Sequence, residues 1–321
     1  MSDSRYTRRQ FLATGGLALL GAACGGGRAS TQASPSPAPG SLDALKRGAS
    51  ELSLFPSADQ GSPVNPGRNR ISFGLVTNQG GVITGGSPKV YLARGATSTA
   101  LGPFPSTWYA FTGYGQTGDH SPESPIPGTY VTDVDLPSAG LWQMLAVAQG
   151  SSGPGAGEAA FPVTTGKIPA SLGSKAISVK TPVATTQAKL KEICTRIPPD
   201  DMHYISLDWA LANGKPTVAV FATPLLCESK LCGPVTDEVL LVFQKVGKDG
   251  ANFIHVEEFL PGPDLTPPPA TLETRSPGFK AWDFQTEPWV VVIDRDGVIR
   301  GRMGPGPSAA AEIEAALTPL L

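Results

Sequence analysis

Five consecutive residues, Thr217-Val-Ala-Val-Phe221, show no alternation of polar and apolar side chains. A strand written this way must be covered on both faces, because a half-exposed strand reads apolar, polar, apolar. Two more runs in the same half read alike: Asn252-Phe-Ile-His-Val256, and the apolar stretch that follows Thr286-Glu287-Pro288 and ends at Ile293. Between them Val235, Val239, Val242, Phe243 and Val246 recur at helical spacing, and Pro234 suits the first turn of that helix. Short helices are expected over Thr186 to Thr195 and over Ser206 to Asn213, the second ended by Gly214. Asp296-Gly297 marks a hairpin turn, and Ser308 to Leu321 reads as a closing helix with Ala, Ile and Leu on one side. Residues 166–321 therefore predict a layered α/β domain.

The preceding segment has a different period. Residues 68–165 contain no convincing helical pattern but several short alternating runs, among them Ile71 to Val76, Lys89 to Ala93, Thr129 to Leu136 and Leu141 to Val147. Turn-rich stretches such as Asn78-Gln-Gly-Gly81 and Gly85-Gly86-Ser87-Pro88 separate them. The pattern predicts an all-β domain that resembles an immunoglobulin-like sandwich, and Pro137 to Trp142 resembles the turn into a late strand of such domains. The segment has no cysteine, so no disulfide joins its sheets. Trp108, Tyr109, Phe111, Tyr114 and His120 fall in a Gly/Pro-rich insertion, open to two readings: packing over a sheet edge, or binding a partner.

The first 24 residues read as an address. Arg8-Arg9 precedes a short apolar run, Phe11 to Ala23, too short to span a bilayer comfortably. Arg-Arg-x-Phe-Leu resembles the twin-arginine export signal. Ala22-Ala23-Cys24-Gly25 resembles a bacterial lipoprotein processing site, with Gly21 in place of the usual leucine. That resemblance implies a lipidated Cys24 and a chain anchored to the outer face of the cytoplasmic membrane. Residues 25–67, rich in Gly, Ser, Ala and Pro, predict a tether. A net charge of −2 with 16% charged residues supplies no basic field for nucleic acid.

The chain has four cysteines: Cys24, Cys194, Cys227 and Cys232. Cys227 and Cys232 lie in a loop between the first buried strand and the helix opened by Gly233-Pro234. Phe221-Ala222, then the cysteines and Cys232-Gly233-Pro234, then Thr286-Glu287-Pro288 before an apolar strand, resemble the thioredoxin-like family over about residues 180–321. The resemblance implies a cis Pro288 facing the cysteines. It departs where the family's second cysteine would stand, at Val235, so the pair is Cys-x4-Cys. The fold class expected is thus an α/β thioredoxin-like C-terminal domain behind an immunoglobulin-like sandwich.

Cys232, at a helix start, faces unpaired N–H groups that favour a thiolate. It is expected to act as exchange nucleophile with Cys227 resolving, the reverse assignment being open. The catalytic set is Cys227, Cys232 and Pro288, and the partners expected are exported protein thiols or disulfides. Two alternatives remain: a structural disulfide in a binding protein, and a metal-delivery protein in which Cys227 and Cys232 hold copper with His203 or His255. Otherwise no cofactor is expected. Cys194 is either a buried free thiol or a third thiol in exchange or metal binding. Asp200, Asp201, Glu257 and Glu258 read as solvated charges. A carboxylate at Glu287 would raise nearby thiol pKa values. Hydrolase, phosphate-loop, zinc-protease and dinucleotide motifs are absent from the sequence.

Overall fold

A computed structural model describes residues 40–59, 64–113, 126–150, 153–227, 231–261, 271 and 273–321. The twin-arginine segment, Cys24, Tyr114 and His120 lie outside the described residues. No helix among the described residues is long and apolar enough to cross a membrane.

Seven strands make the first layer of the fold: β1 (Ser50–Pro56), β2 (Gly67–Thr77), β3 (Lys89–Ala93), β4 (Leu101–Ala110), β5 (Gly128–Leu136), β6 (Gly140–Gly150) and β7 (Gly153–Val163). They close into a barrel in the order β1-β2-β5-β4-β3-β6-β7. All neighbours are antiparallel except β1 and β7, whose parallel pairing completes the ring. The inward side chains, including Ile71, Phe73, Leu75, Tyr130, Met144 and Phe161, form one apolar core.

Closure corrects the expected sandwich. The predicted runs are real strands, but they curl into one barrel because two unpredicted segments join first to last. In β7, a Cβ at Gly155 would meet Leu52 Cδ1 at 2.8 Å, and one at Gly157 would meet Leu54 Cβ at 2.9 Å. Glycine there lets β1 approach β7 closely enough to pair. Gly157→Val is therefore expected to cost about 3 kcal/mol through overpacking at the seam. Gly74→Ala, whose Cβ would meet nothing within 4 Å, serves as the control and should be near neutral. Urea midpoints of the two variants check this; equal midpoints would show that the seam does not depend on close approach. Trp108 and Tyr109 also prove to be strand residues of β4 rather than loop aromatics, with Trp108 packed 4.8 Å from the Tyr130 ring.

The second sheet has four strands: β8 (Thr217–Phe221), β9 (Asn252–Val256), β10 (Trp289–Ile293) and β11 (Ile299–Met303). Its order is β11-β10-β8-β9, with β8 parallel to β9 and β10 antiparallel to both β8 and β11. Every residue of β8, β9 and β10 is buried. One face, through Val218, Val220, Val290 and Val292, packs on α4 (Cys232–Gly250) and α6 (Ala310–Leu317). The other, through Ala219, Phe221, Val291 and Ile293, packs on α3 (Leu207–Ala212) and α5 (Pro277–Trp282). The remaining helices are α1 (Leu42–Leu45) and α2 (Gln187–Ile193).

The thioredoxin-like assignment is corrected with the sandwich. Among the described residues strands outweigh helices, the second sheet is small, and apart from the 19-residue α4 the α-helices run only four to eight residues. It is not an α/β thioredoxin-like domain behind an immunoglobulin-like one. Barrel and sheet belong to one compact unit, Pro37–Leu321. Between them Arg70 bonds the Glu312 carboxylate in a half-buried pair, and Glu238 on α4 accepts from the backbone N–H groups of Thr112, Gly113 and Ala310.

Candidate redox site

The apolar run of β8 delivers the chain into the cysteine loop, and α4 takes it away. Cys232 is the first residue of α4 and is fully buried in the core beneath it. Its carbonyl accepts from Thr236 Oγ1 at 2.7 Å, and Val235 N bonds Leu231 O at 3.0 Å, so the first turn is well formed. Cys227 lies half-buried at the edge of the same core. The two sulfurs are joined as a disulfide with a Cα–Cα separation of 6.0 Å. Of the pair, Cys227 is thus the less buried residue.

Glu287 faces this disulfide. It precedes Pro288, just ahead of β10, in a cis peptide bond, and one of its carboxylate oxygens and both sulfurs lie within 4.8 Å of one another. Its Oε2 is buried without a hydrogen-bond partner. Burial first, then the charges of Glu258 and Glu257, push the Glu287 carboxyl well above the ordinary range, against a hydrogen bond from Thr223. Thr223 Oγ1 already accepts from Glu258 N at 2.6 Å, so its own proton is left for Glu287. Burial thus favours the neutral carboxyl and weakens the repulsion that a charged Glu287 would exert on a thiolate.

Behind Glu287 the structure gathers groups whose charge had pointed to solvent. Asp200, Glu257 and Glu258 are all buried; Asp201 alone of the four is exposed. Glu258 pairs with Arg275 at 2.6 Å, and Glu257 accepts from Thr195 N and Oγ1 at 2.6 and 2.8 Å. Burial raises Glu257 to about 7. His255 Nδ1 lies 2.8 Å from Asp200 Oδ2, and His255 Nε2 donates to Ala222 O at 3.0 Å. The Asp200 charge raises His255 well above its usual value against the cost of its burial, while His255 likewise lowers Asp200.

The metal set expected from the sequence divides in two. His203 and His255 group with Cys194 and Asp200, whereas Cys227 and Cys232 group with Glu287. Burial raises the Cys194 thiol to about 11, so it is no ready nucleophile for exchange. The position of Glu287 beside the cysteines is the one its place before the proline implies, whereas sequence motifs do not disclose the parts played by Asp200 and Glu257. The one available signal is position: Glu287 directly precedes the proline, and Glu257 directly follows a strand buried on both faces.

No protein-family model matches this chain, and no curated protein matches it in sequence. The family resemblance drawn from the cysteine and proline motifs therefore has no support from sequence comparison.

Proposed function

We propose that the chain is a thiol–disulfide exchange protein, acting outside the cytoplasm on partner protein dithiols or disulfides through Cys227 and Cys232. One observation supports this above the others: a carboxyl whose Oε2 is buried without a hydrogen-bond partner lies beside a disulfide that joins half-buried Cys227 to Cys232, buried at a helix start. A disulfide serving only as a staple gains nothing from a costly buried acid next to it.

In the proposed reaction, a partner thiolate attacks Cys227 Sγ. The Cys227–Cys232 bond breaks, and Cys232 leaves with the electron pair. The positive end of α4 favours that thiolate, and the Glu287 carboxyl gives it a proton. The second partner thiol loses its proton and attacks the mixed disulfide, and Cys227 leaves as thiolate. The partner dithiol is oxidised to a disulfide as the protein's disulfide becomes a dithiol; the reverse sequence transfers the electrons back. This gives the less buried Cys227 the mixed disulfide and Cys232 the resolving part, the reverse of the assignment expected from the sequence.

The test is the equilibrium of the pair against a dithiol buffer. A potential at or above about −270 mV supports exchange, and one below about −300 mV identifies a staple. Glu287→Gln supplies the second readout. With glutamate, reduction of the disulfide is expected to slow relative to attacking thiolate as pH rises through the raised Glu287 pKa, because the proton donor is lost. With glutamine that limb should vanish, leaving only the titration of the attacking thiol. Stability provides an independent sign. A carboxyl whose pKa is higher folded than unfolded loses stability as pH rises from the ordinary carboxylate range to the folded pKa. Glu287→Gln should flatten that decline in a pH series of urea midpoints.

A further inference from the structure

Cys194, Asp200, His203 and His255 come from three separate segments and converge in the interior. Cys194 caps the end of α2, Asp200 and His203 lie on the turn after Pro198-Pro199, and His255 is on β9. One donor atom from each lies within 4.8 Å of the others. Cys194 Sγ is 3.4 Å from Asp200 Oδ2 and 4.0 Å from His255 Nδ1, and His203 Nε2 is 3.9 Å from Asp200 Oδ1. Tetrahedral zinc, with bonds of about 2.0–2.3 Å, needs donors roughly 3.3–3.7 Å apart, so the wider contacts would close slightly and the 2.8 Å contact of His255 Nδ1 with Asp200 Oδ2 would open.

Hydrogen bonding explains only part of this cluster. The contact between Asp200 and His255 is a good bond, but His203 Nε2 is buried with no hydrogen-bond partner. Its side chain is 2% exposed, and an orphaned ring nitrogen at such depth is costly unless something occupies it. The supporting bonds are also those of a ligand set. His255 Nε2 donates to Ala222 O, which leaves Nδ1 facing the cluster, and a ligating histidine is fixed by such a bond on its second nitrogen. Met202 N holds Asp200 Oδ1 at 3.0 Å, and His203 O accepts from Ala184 N at 2.9 Å. A surface cavity of about 250 Å³, bordered by His203, Leu190, Tyr204 and Asp201, offers the approach from solvent.

We propose that Cys194, Asp200, His203 and His255 form a closed four-ligand site for a zinc-class divalent ion, separate from the Cys227–Cys232 pair. One thiolate, two imidazoles and one carboxylate suit zinc over the hard ions, which prefer oxygen, and the complete protein set makes the site structural rather than catalytic. Binding replaces the hydrogen between His255 and Asp200 with the metal, and Cys194 gives up its thiol proton to become the fourth ligand.

The experiment uses the oxidised full chain carrying Cys24→Ala, in which Cys194 is the remaining free thiol. After chelation, titration with cobalt(II) should give one equivalent bound, with thiolate-to-metal charge-transfer absorption that zinc abolishes by displacement. Cys194→Ser should remove the charge-transfer band. His203→Gln, which breaks no hydrogen bond at Nε2, should weaken binding at least about 100-fold while leaving the fold intact by circular dichroism. Should Cys194→Ser fail to fold, His203→Gln decides the matter alone. Converting Cys227 and Cys232 to serine should leave the cobalt site unchanged, which keeps this result independent of the exchange reaction. No binding to the stripped chain, binding that His203→Gln leaves unaltered, or binding lost with Cys227 and Cys232 would each overturn the proposal.

Discussion

Cys232→Ser is expected to accumulate a mixed disulfide on Cys227 and to reduce catalysed dithiol oxidation to background. Cys227 is the less buried residue of the pair, so it is the one expected to meet a partner thiol, and without Cys232 no neighbouring thiol is left to release that partner. Cys227→Ser should lose turnover equally but trap nothing, because the remaining sulfur is fully buried under the first turn of α4. The two variants lose the same short-loop cross-link, worth about 2 kcal/mol, but Cys232→Ser also buries a hydroxyl in the core under α4, so adducts are compared on folded protein only. Non-reducing electrophoresis with intact mass measurement separates the outcomes. Adducts on Cys227→Ser and none on Cys232→Ser would invert the assignment; adducts on neither would remove the exchange reading.

The largest stability effect is expected at Glu238, far from any sulfur chemistry. Its Oε1 receives Thr112 N at 2.6 Å and Gly113 N at 2.5 Å from the chain leaving β4, and its Oε2 receives Ala310 N at 2.7 Å from the first residue of α6. One side chain thus satisfies donors from the barrel and from the helical layer together. Glu238→Leu would strand them. Thr112 is exposed and can turn to water, but Gly113 and Ala310 are buried. A Cβ at Gly113 would meet the Asp237 backbone at 2.8 Å, so the turn has no room to rearrange. Two orphaned buried donors cost about 1–3 kcal/mol each, and the expected loss is about 4 kcal/mol in total. Glu238→Gln should lose less, since its one carbonyl still accepts two N–H groups, although its amide then faces a third. Urea unfolding checks both, and a Glu238→Leu loss below about 1 kcal/mol would show that water replaces the carboxylate.

How far the sequence discloses this structure depends on what each segment buries. The runs at 217–221 and 252–256 coincide with β8 and β9, because a strand covered on both faces leaves an uninterrupted apolar record. Barrel closure leaves none. β1 is mostly exposed and begins Ser-Glu, and β7 contains Gly153, Pro154, Gly155 and Gly157, which read as turn chemistry yet serve close strand approach. β4 carries Pro103 and Pro105 and buries little, so its strand character is hidden as well. At the site, the cysteine pair is legible from spacing. The Cys194–Asp200–His203–His255 cluster is not, because its members meet only after α2, the Pro198 turn and β9 pack together. The buried acids are misread for a related reason: charge predicts exposure unless the partner is known. His255 for Asp200, Thr195 for Glu257 and Arg275 for Glu258 are visible only in three dimensions.

The parallel pairing of β1 with β7 also fixes how the molecule carries mechanical load. Four facing pairs, from Ser50 opposite Gly155 to Ser53 opposite Glu158, run in the same direction. The chain therefore arrives at one end of the barrel and departs from the other. A pull between the chain ahead of Ser50 and the chain beyond Val163 draws these neighbours past each other lengthwise. Their hydrogen bonds then resist together, in shear, whereas an antiparallel closing pair would be peeled apart one bond at a time.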